Sequence, residues 1–162
     1  MKIIGIDPGL RLTGYGCIDT TAGTCTILEA GVFRLESKAP IVQRLGALYH
    51  DLCATLDELQ PEVIAVERLF AAYRHPRTAI IMGHARGVVL LAAQLRNLQL
   101  IELSATEVKR SITGNGHASK DQMQQAIMAR FNLAQPPHPP DVADALGIAA
   151  CAAGRVQTLH VQ

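Results

Sequence analysis

Two runs of aliphatic residues, each ending in an acid, most constrain the fold of this chain. Segment 3–6 (Ile-Ile-Gly-Ile) leads into Asp7, and segment 63–66 (Val-Ile-Ala-Val) leads into Glu67. An uninterrupted apolar run predicts a β-strand that is buried on both faces, as in a parallel sheet covered by helices. The two runs therefore predict an α/β domain, and they raise the question of what two charged side chains do at the ends of buried strands.

The remaining segments predict how such a sheet is completed. Segments 14–20 and 25–35 flank a short turn and predict two antiparallel strands. An apolar stripe at helical spacing between Pro40 and Pro61 predicts a helix over 41–59. Further along we expect a long, almost uniformly apolar helix over 77–96, a strand over 98–103, two short helices begun by capping boxes at Ser104 and Ser119, and a small-residue helix from Asp141. This order predicts one α/β domain over residues 1–162 with a mixed sheet.

Composition excludes several classes of protein. With 49% hydrophobic and 18% charged residues, the chain is not a disordered one. The four cysteines lie among apolar residues without CxxC spacing, which favours reduced thiols over disulfides or zinc ligands. The chain enters its first strand without a signal-like segment, and its most apolar stretch, 88–95, is too short to cross a bilayer. We expect a cytoplasmic protein that makes no membrane contact.

Charge is distributed unevenly along the chain. The net charge is only +1, but residues 68–120 contain eight basic and two acidic residues, a local charge of +6. A surface that faces phosphate groups requires such an excess. A scattered, solvated surface explains it equally well, so charge alone does not decide between them.

A second pair of acids, Asp141 and Asp144, opens the last predicted helix at a spacing of three residues. Residues at this spacing share a helix face, with Cβ atoms about 5–6 Å apart. If the two acid-terminated strands are neighbours, four carboxylates could meet, and hard divalent cations would relieve their repulsion. Simpler interpretations remain open: Asp7 as a turn former before Pro-Gly, Asp141 as a helix N-cap, and Asp144 as a first-turn acid.

Five motifs, taken together, identify a family. They are Gly-Ile-Asp-Pro-Gly at 5–9 with Thr-Gly-Tyr-Gly at 13–16, Ala-Val-Glu at 65–67 with Phe70, Gly-His-Ala-Arg-Gly at 83–87, Val-Lys at 108–109 with Lys120, and Asp-Val-Ala-Asp-Ala-Leu at 141–146. In this order and spacing the chain resembles the RuvC family of bacterial Holliday-junction resolvases, from residue 3 to about residue 150. The resemblance implies a ribonuclease H-like fold, a five-stranded mixed β-sheet flanked by α-helices.

The resemblance also implies an activity. Members of the family bind four-way DNA junctions as homodimers and nick two strands of like polarity symmetrically, leaving 5′-phosphate and 3′-hydroxyl ends. Four acids would bind Mg²⁺ or Mn²⁺, two ions per site, and two lysines suit the charge of the scissile phosphate. The implied catalytic residues are Asp7, Glu67, Asp141, Asp144, Lys109 and Lys120.

Further roles follow from the same resemblance. Phe70 matches an aromatic residue that stacks on an unpaired base at the junction centre. The long helix matches the element through which the family dimerises, with Gly83, Arg86 and Gly87 at the interface. Family members work with the RuvA/RuvB branch-migration complex, and because this chain has no P-loop, any ATP hydrolysis would belong to that partner. The expected DNA contacts are Phe70, Tyr73, Arg74, Arg77, Lys109, Arg110 and Lys120.

One segment departs from the family pattern. Between Phe70 and Gly83 the chain carries one residue more than is common, and it has Ala-Tyr-Arg-His-Pro-Arg at 72–77 where many relatives have Ala-x-Asn. Tyr73, Arg74 and Arg77 could supply stacking and phosphate contacts there, or the segment is a plain variable loop. The four acids are unaffected, so the expected chemistry is unchanged.

Two other classes of function have weaker support. Actin-like and sugar-kinase-like ATPases also open with a strand that ends in Asp and Gly, but they need two such domains, for which 162 residues leave no room. A module that binds junctions without cutting them would not need all four acids.

Overall fold

The structure is a computed structural model that describes residues 1–21, 24–69 and 76–160, with only the backbone described for 76–78 and 158–160. Its strands are β1 (Lys2–Asp7), β2 (Leu12–Asp19), β3 (Thr26–Arg34), β4 (Val63–Glu67) and β5 (Gln99–Leu103). Its helices are α1 (Ile41–Leu59), α2 (Pro76–Leu95), α3 (Ala105–Thr113), α4 (Lys120–Arg130) and α5 (Pro140–His160). The order of elements predicted from the sequence is confirmed, with boundaries that differ by one or two residues.

The five strands form one mixed sheet in the order β3-β2-β1-β4-β5. β1 and β3 both run antiparallel to β2, whereas β1, β4 and β5 are parallel to one another. Ile6 on β1 is opposite Val66 on β4. Asp7 and Glu67 are the next residues on these parallel neighbours, so both strands end in an acid at the same edge of the sheet.

Helices cover both faces of the sheet, as the uninterrupted apolar strands predict. Successive side chains on a strand point to opposite faces. Ile4 and Ile6 pack in a core with α1 and α2, whereas Ile3, Val63 and Ala65 pack in a second core with α5. Helices α3 and α4 lie against α5. Since Asp7 has the parity of Ile3, and Glu67 has that of Val63, both carboxylates belong to the α5 face.

Helix α5 lies unusually close to the sheet. A Cβ atom on Gly5 of β1 would stand 2.2 Å from the carbonyl oxygen of Ala145 and 2.6 Å from the amide nitrogen of Ala149. No side chain larger than hydrogen fits in that space. The glycine in β1 and the small residues of α5 therefore allow the backbones of helix and strand to touch.

The two short helices begin as the sequence predicts. Ser104 and Glu107 form a complete capping box at the start of α3, and Ser119 and Gln122 form one at the start of α4. These caps satisfy amide groups that a helix start leaves unpaired. The four cysteines are unpaired thiols. Across residues 1–21, 24–69 and 76–160, no helix is both long and apolar enough to span a membrane.

Candidate active site

Asp7 ends β1 and is followed by a turn that its own carboxylate does not close. The hydroxyl of buried Thr13 donates to the carbonyl oxygen of Gly9 over 2.6 Å and accepts from the Gly9 amide over 3.1 Å. An aspartate that formed the turn would accept from that same amide. The turn-former interpretation is therefore wrong, because Thr13 already supplies the hydrogen bonds of the turn and leaves the Asp7 carboxylate for another role.

Glu67 ends β4, and its backbone is held by a residue of α2. The Nε atom of Arg86 donates to the carbonyl oxygen of Glu67 over 3.1 Å. The same guanidinium forms an ion pair with the carboxylate of Glu102 on β5. One side chain thus ties the ends of two neighbouring strands to the helix that covers them.

Asp141 and Asp144 enter the site through the first turns of α5. The helix begins at Pro140, so Asp141 lies inside the first turn, and the N-cap interpretation is wrong. A Cβ atom on Gly14 would stand 2.2 Å from the carbonyl oxygen of Asp141 and 3.2 Å from its Cβ atom. Gly14 is the partner of Asp7 in the β1–β2 pairing. This contact places the start of α5 beside the end of β1.

The electrostatic interactions show how close the acids are to one another. The pKa of Asp7 is raised from 3.8 to about 8, chiefly by burial and then by the nearby carboxylates of Asp144, Glu67 and Asp141. The positive charge of Lys120 lowers this pKa, but by less. Like charges and desolvation both disfavour the ionised form of a carboxyl group. The shift favours the protonated form of Asp7 in the metal-free protein, and a cation would relieve the same repulsion.

The pKa values of Glu67 and Asp144 are raised for the same reasons. Burial, then the Asp144 carboxylate, raises the pKa of Glu67, and Lys109 opposes that shift. Burial also raises the pKa of Asp144, with Lys120 and Lys109 lowering it and Asp141 raising it. The four acids and the two lysines predicted from the sequence therefore lie within electrostatic reach of one another. We call Asp7, Glu67, Asp141 and Asp144 the carboxylate cluster.

The chemistry of the carboxylate cluster fits a hard divalent cation. Within the described parts of the chain, no three or more Asp, Glu, His or Cys side chains are already arranged to hold a metal ion. Mg²⁺ does not need such a cage, because it takes one or two protein carboxylates and completes its coordination with water and substrate phosphate oxygens. Four carboxylates opposed by two lysines leave a negative charge that such an ion would balance.

Several residues predicted to bind DNA cannot be placed against this cluster. Phe70, Tyr73 and Arg74 lie outside the described residues. Arg77 lies in the first turn of α2, but its side chain is outside the described part of the chain. Arg110 is exposed on α3, and its guanidinium approaches Gly116 in the loop before α4.

The three residues predicted at a dimer interface do not share one environment. Gly83 and Gly87 lie on a face of α2 that also carries the exposed side chains Ile80 and Leu91. Arg86 points elsewhere, because its guanidinium contacts Glu67 and Glu102 of its own chain and its side chain is only 15% exposed. Its role in holding β4 was not predicted from the sequence, and its place at an interface stays a prediction.

The structure also contains a basic groove that the sequence did not indicate. It has a volume of about 840 Å³, and its lining includes Arg11, Arg34, Arg44 and Asp141. The three arginines belong to separate elements and to no common motif. Only the fold brings them together, beside one of the four acids.

Comparisons with known proteins show one family consistently. Residues 3–152 match the family model of crossover junction endodeoxyribonuclease RuvC. Proteins of that name from Desulfitobacterium hafniense and Caldicellulosiruptor saccharolyticus are 42% identical over 160 residues and 41% identical over 152 residues. These matches cover 99% of this chain and 96% of the first relative, and 93% of this chain and 91% of the second.

Solved structures show the same fold. Thermus thermophilus RuvC in complex with Holliday junction substrate has a TM-score of 0.90 to this chain at 30% sequence identity, covering 98% of this chain and 96% of the other. The yeast mitochondrial Holliday junction resolvase shares the fold with a TM-score of 0.64 at 19% identity, covering 92% of this chain and 76% of the other. The expected ribonuclease H-like architecture is confirmed.

Proposed function

This chain belongs to the RuvC family of crossover junction endodeoxyribonucleases, and on that basis we propose that it resolves Holliday junctions by metal-dependent hydrolysis. It would nick two strands of like polarity symmetrically at a four-way DNA junction during recombination and repair. The observation that carries the proposal is the carboxylate cluster, in which the ends of two parallel strands and the start of α5 meet opposite two lysines.

The metal would be held by Asp7, Glu67, Asp141 and Asp144. We propose Mg²⁺, or Mn²⁺ in its place, with two ions per site, because oxygen donors of this charge suit hard divalent ions. When bound, such ions supply an activated water nucleophile and offset the charge that develops on the phosphate. The raised pKa of Asp7 supports this assignment, since the cluster lacks enough positive charge of its own.

The lysines act on the substrate from the helices beside α5. Lys109 on α3 and Lys120 at the start of α4 both lower the pKa of Asp144, so both positive charges lie within electrostatic reach of the cluster. We propose that they contact the non-bridging oxygens of the scissile phosphate, where the negative charge grows during attack. The water oxygen bonds to phosphorus and the bond from phosphorus to O3′ breaks. The departing O3′ takes up a proton, leaving a 5′-phosphate and a 3′-hydroxyl.

A homodimer would bring two such sites to one junction. Ile80, Gly83, His84, Gly87 and Leu91 share one face of α2, at helical spacing. Ile80, Leu91 and Leu95 are 60%, 52% and 60% exposed, although they are large apolar side chains. We propose that a second copy of this chain covers this face, as the resemblance to the family implies. Symmetric nicking then follows from the two-fold symmetry of the dimer.

Two further parts of the proposal rest on family membership. We propose that the dimer works in the cytoplasm with the RuvA/RuvB branch-migration complex, which would supply the ATP-driven step. Four-way junction DNA is the substrate, and the excess of basic residues over 68–120 supports a phosphate-facing surface.

The activity is tested with a synthetic four-way junction and a linear duplex of the same sequence. We expect cleavage of the junction in Mg²⁺, at symmetric positions on two strands of like polarity, with nicks that DNA ligase reseals. EDTA should abolish cleavage, and the linear duplex should remain intact. Equal cutting of both substrates, or cutting in EDTA, would contradict the proposal.

The dimer is tested separately with Leu91→Glu. A charge placed on the apolar face should convert the protein to a monomer in sedimentation experiments and should uncouple the two nicks. The matched control is Leu28→Glu on β3, where another exposed leucine lies outside α2. An unchanged sedimentation coefficient for Leu91→Glu, or an equal effect of both variants, would rule out this face.

A further inference from the structure

The basic groove lies directly beside the carboxylate cluster. Asp141 belongs to both, and Gly9, two residues after Asp7, also lines the groove. Three arginines from three elements supply its charge: Arg11, Arg34 and Arg44. Asp141 is the only acid in its described lining, so the groove carries net positive charge.

The backbone holds each arginine in a fixed position. Arg11 lies in the turn before β2, where its carbonyl oxygen accepts from the amide of Leu35 over 3.1 Å. Arg34 ends β3 opposite Leu12 of β2. Arg44 lies in the first turn of α1. The groove is therefore built on ordered elements, which fix the backbone positions from which its charged side chains extend.

Arg44 has a buried donor without an acceptor. Its Nε atom is shielded from solvent and has no hydrogen-bond partner among the described residues. A buried N–H group that loses its bond to water and gains no other is costly, and such groups in proteins are nearly always paired. In the described part of the chain, acidic partners engage Arg86, Arg96 and Arg155 instead. Among the described residues Arg44 forms no such ion pair, and its Nε–H group has no acceptor.

We propose that this groove binds the phosphate backbone of the DNA strand beside the phosphate that is cut, with Arg44 as the central contact. The inference rests on the proposed function and extends it to a second set of DNA contacts. A guanidinium matches the paired oxygens of a phosphate group with two parallel N–H donors. Arg11 and Arg34 then contact the neighbouring phosphates. A DNA strand suits three arginines because it presents several phosphate anions in a row.

The groove and the two lysines approach the carboxylate cluster from opposite faces of the sheet. Lys109 and Lys120 reach the carboxylate cluster from α3 and α4, on the face of the sheet that α5 covers. Arg44 lies on α1, which covers the opposite face. Cations on both sides of the cluster would hold the cut strand in register across the metal site. Phosphate contacts of this kind position a strand without reading its sequence.

The test measures binding of a four-way junction in EDTA, where no cleavage occurs, over a range of salt concentrations. We expect Arg44→Gln and Arg34→Gln each to weaken binding about tenfold and to reduce the slope of log K against log salt by about 1. Arg44→Lys should restore only part of the affinity, because an ammonium cannot supply the paired donors. The matched control is Lys38→Gln, which removes the same charge beside the groove from an exposed residue that does not line it. It should change the affinity less than about twofold.

The outcomes separate the two levels of the proposal. Thermal unfolding identifies any variant that is misfolded, and the exposed position of Arg34 makes its substitution the safer of the two. In one outcome the parent binds and cuts junctions normally while Arg34→Gln and Arg44→Gln keep the wild-type affinity and salt slope. That result would overturn the DNA-binding role of the groove and leave the resolvase function intact. Failure of the parent itself to bind or cut junctions would overturn the proposed function.

Discussion

The Nε atom of Arg86 on α2 donates a hydrogen bond to the backbone carbonyl oxygen of Glu67 at the end of β4. The same guanidinium pairs with Glu102 on β5. Glu67 belongs to the carboxylate cluster, whereas Arg86 approaches from the helix on the other face of the sheet. Arg86 is thus a positioning residue: it holds the backbone of Glu67, from which the carboxylate side chain extends.

Replacing Arg86 should therefore affect the rate of cleavage more than the affinity for DNA. We expect Arg86→Gln to slow single-turnover cleavage about 10- to 100-fold, because a displacement of about 1 Å in a catalytic group has effects of this size. Junction affinity should stay within about threefold. The control is Glu102→Gln, which weakens the ion pair but keeps the bond from Arg86 to Glu67, so its effect should be smaller. A wild-type rate in Arg86→Gln would contradict the positioning role.

Gly14 should tolerate no side chain. In Gly14→Ala the new methyl group would overlap the carbonyl oxygen of Asp141, at 2.2 Å, so the start of α5 must move away from Asp7. We expect a loss of about 2 kcal/mol or more in the free energy of unfolding and loss of detectable cleavage. The same change at Gly46, in α1 with no atom within 4 Å, should stabilise the protein by about 0.5–1 kcal/mol. Denaturant unfolding measures both, and unimpaired cleavage by Gly14→Ala would show that Asp141 is not held by this contact.

Lys120 should matter for chemistry more than for binding. Its ammonium group lowers the pKa values of Asp7 and Asp144, which places it at the carboxylate cluster. We expect Lys120→Ala to slow cleavage about 100-fold or more, with a change in junction affinity below about fivefold. Lys120→Arg, which retains the charge, should recover part of the rate. Equal losses of rate and affinity in Lys120→Ala would reduce Lys120 to a contact that only positions the DNA.

The metal-free protein should lose stability as the pH rises. The pKa of Asp7 is raised to about 8 in the folded state, against an ordinary value of 3.8, so the folded state binds more protons between these values. Stability falls with pH wherever the folded state binds the extra proton. The contribution of Asp7 is therefore favourable below about pH 4 and is lost as the pH passes 8. The raised pKa values of Glu67 and Asp144 act in the same direction.

Melting temperatures in EDTA between pH 5 and pH 9 check this dependence. We expect Asp7→Asn to flatten the decline and to stabilise the metal-free protein at pH 8 by about 1–3 kcal/mol. Glu58→Gln, an exposed site on α1, is the control and should leave the decline unchanged. Mg²⁺ should raise the melting temperature of the parent at pH 8 and not that of Asp7→Asn. A steeper decline in Asp7→Asn would contradict the repulsion described for the cluster.

The fold could be predicted because its signals are local. The strands β1 and β4 are covered on both faces, so their sequences are uninterrupted apolar runs that end at Asp7 and Glu67. The boundaries of α1 follow from flanking prolines, and those of α3 and α4 from capping boxes. Asp7, Glu67 and Asp141 could be located in the same way, because each lies at the end of a strand or the start of a helix. Asp144 then follows one helical turn after Asp141.

The remaining features could not be predicted, because they depend on contacts between distant segments. Arg11, Arg34 and Arg44 converge only after β2 pairs with β3 and α1 packs behind them. Arg86 shares a motif with Gly83 and Gly87, but successive residues on a helix are about 100° apart, so Arg86 faces β4 while Gly87 faces outward. A motif predicts that residues act in one region, and it does not predict which side each of them faces.

The proposed function requires the carboxylate cluster to cut DNA with the help of a bound metal ion. The most direct measurement compares single-turnover cleavage of a four-way junction in Mg²⁺ by the parent and by Asp7→Asn, with junction affinity measured on the same samples. We predict at least about a 1,000-fold loss of rate, while affinity stays within about threefold because the DNA contacts are intact. Cleavage by Asp7→Asn at a rate near that of the parent would contradict the claim.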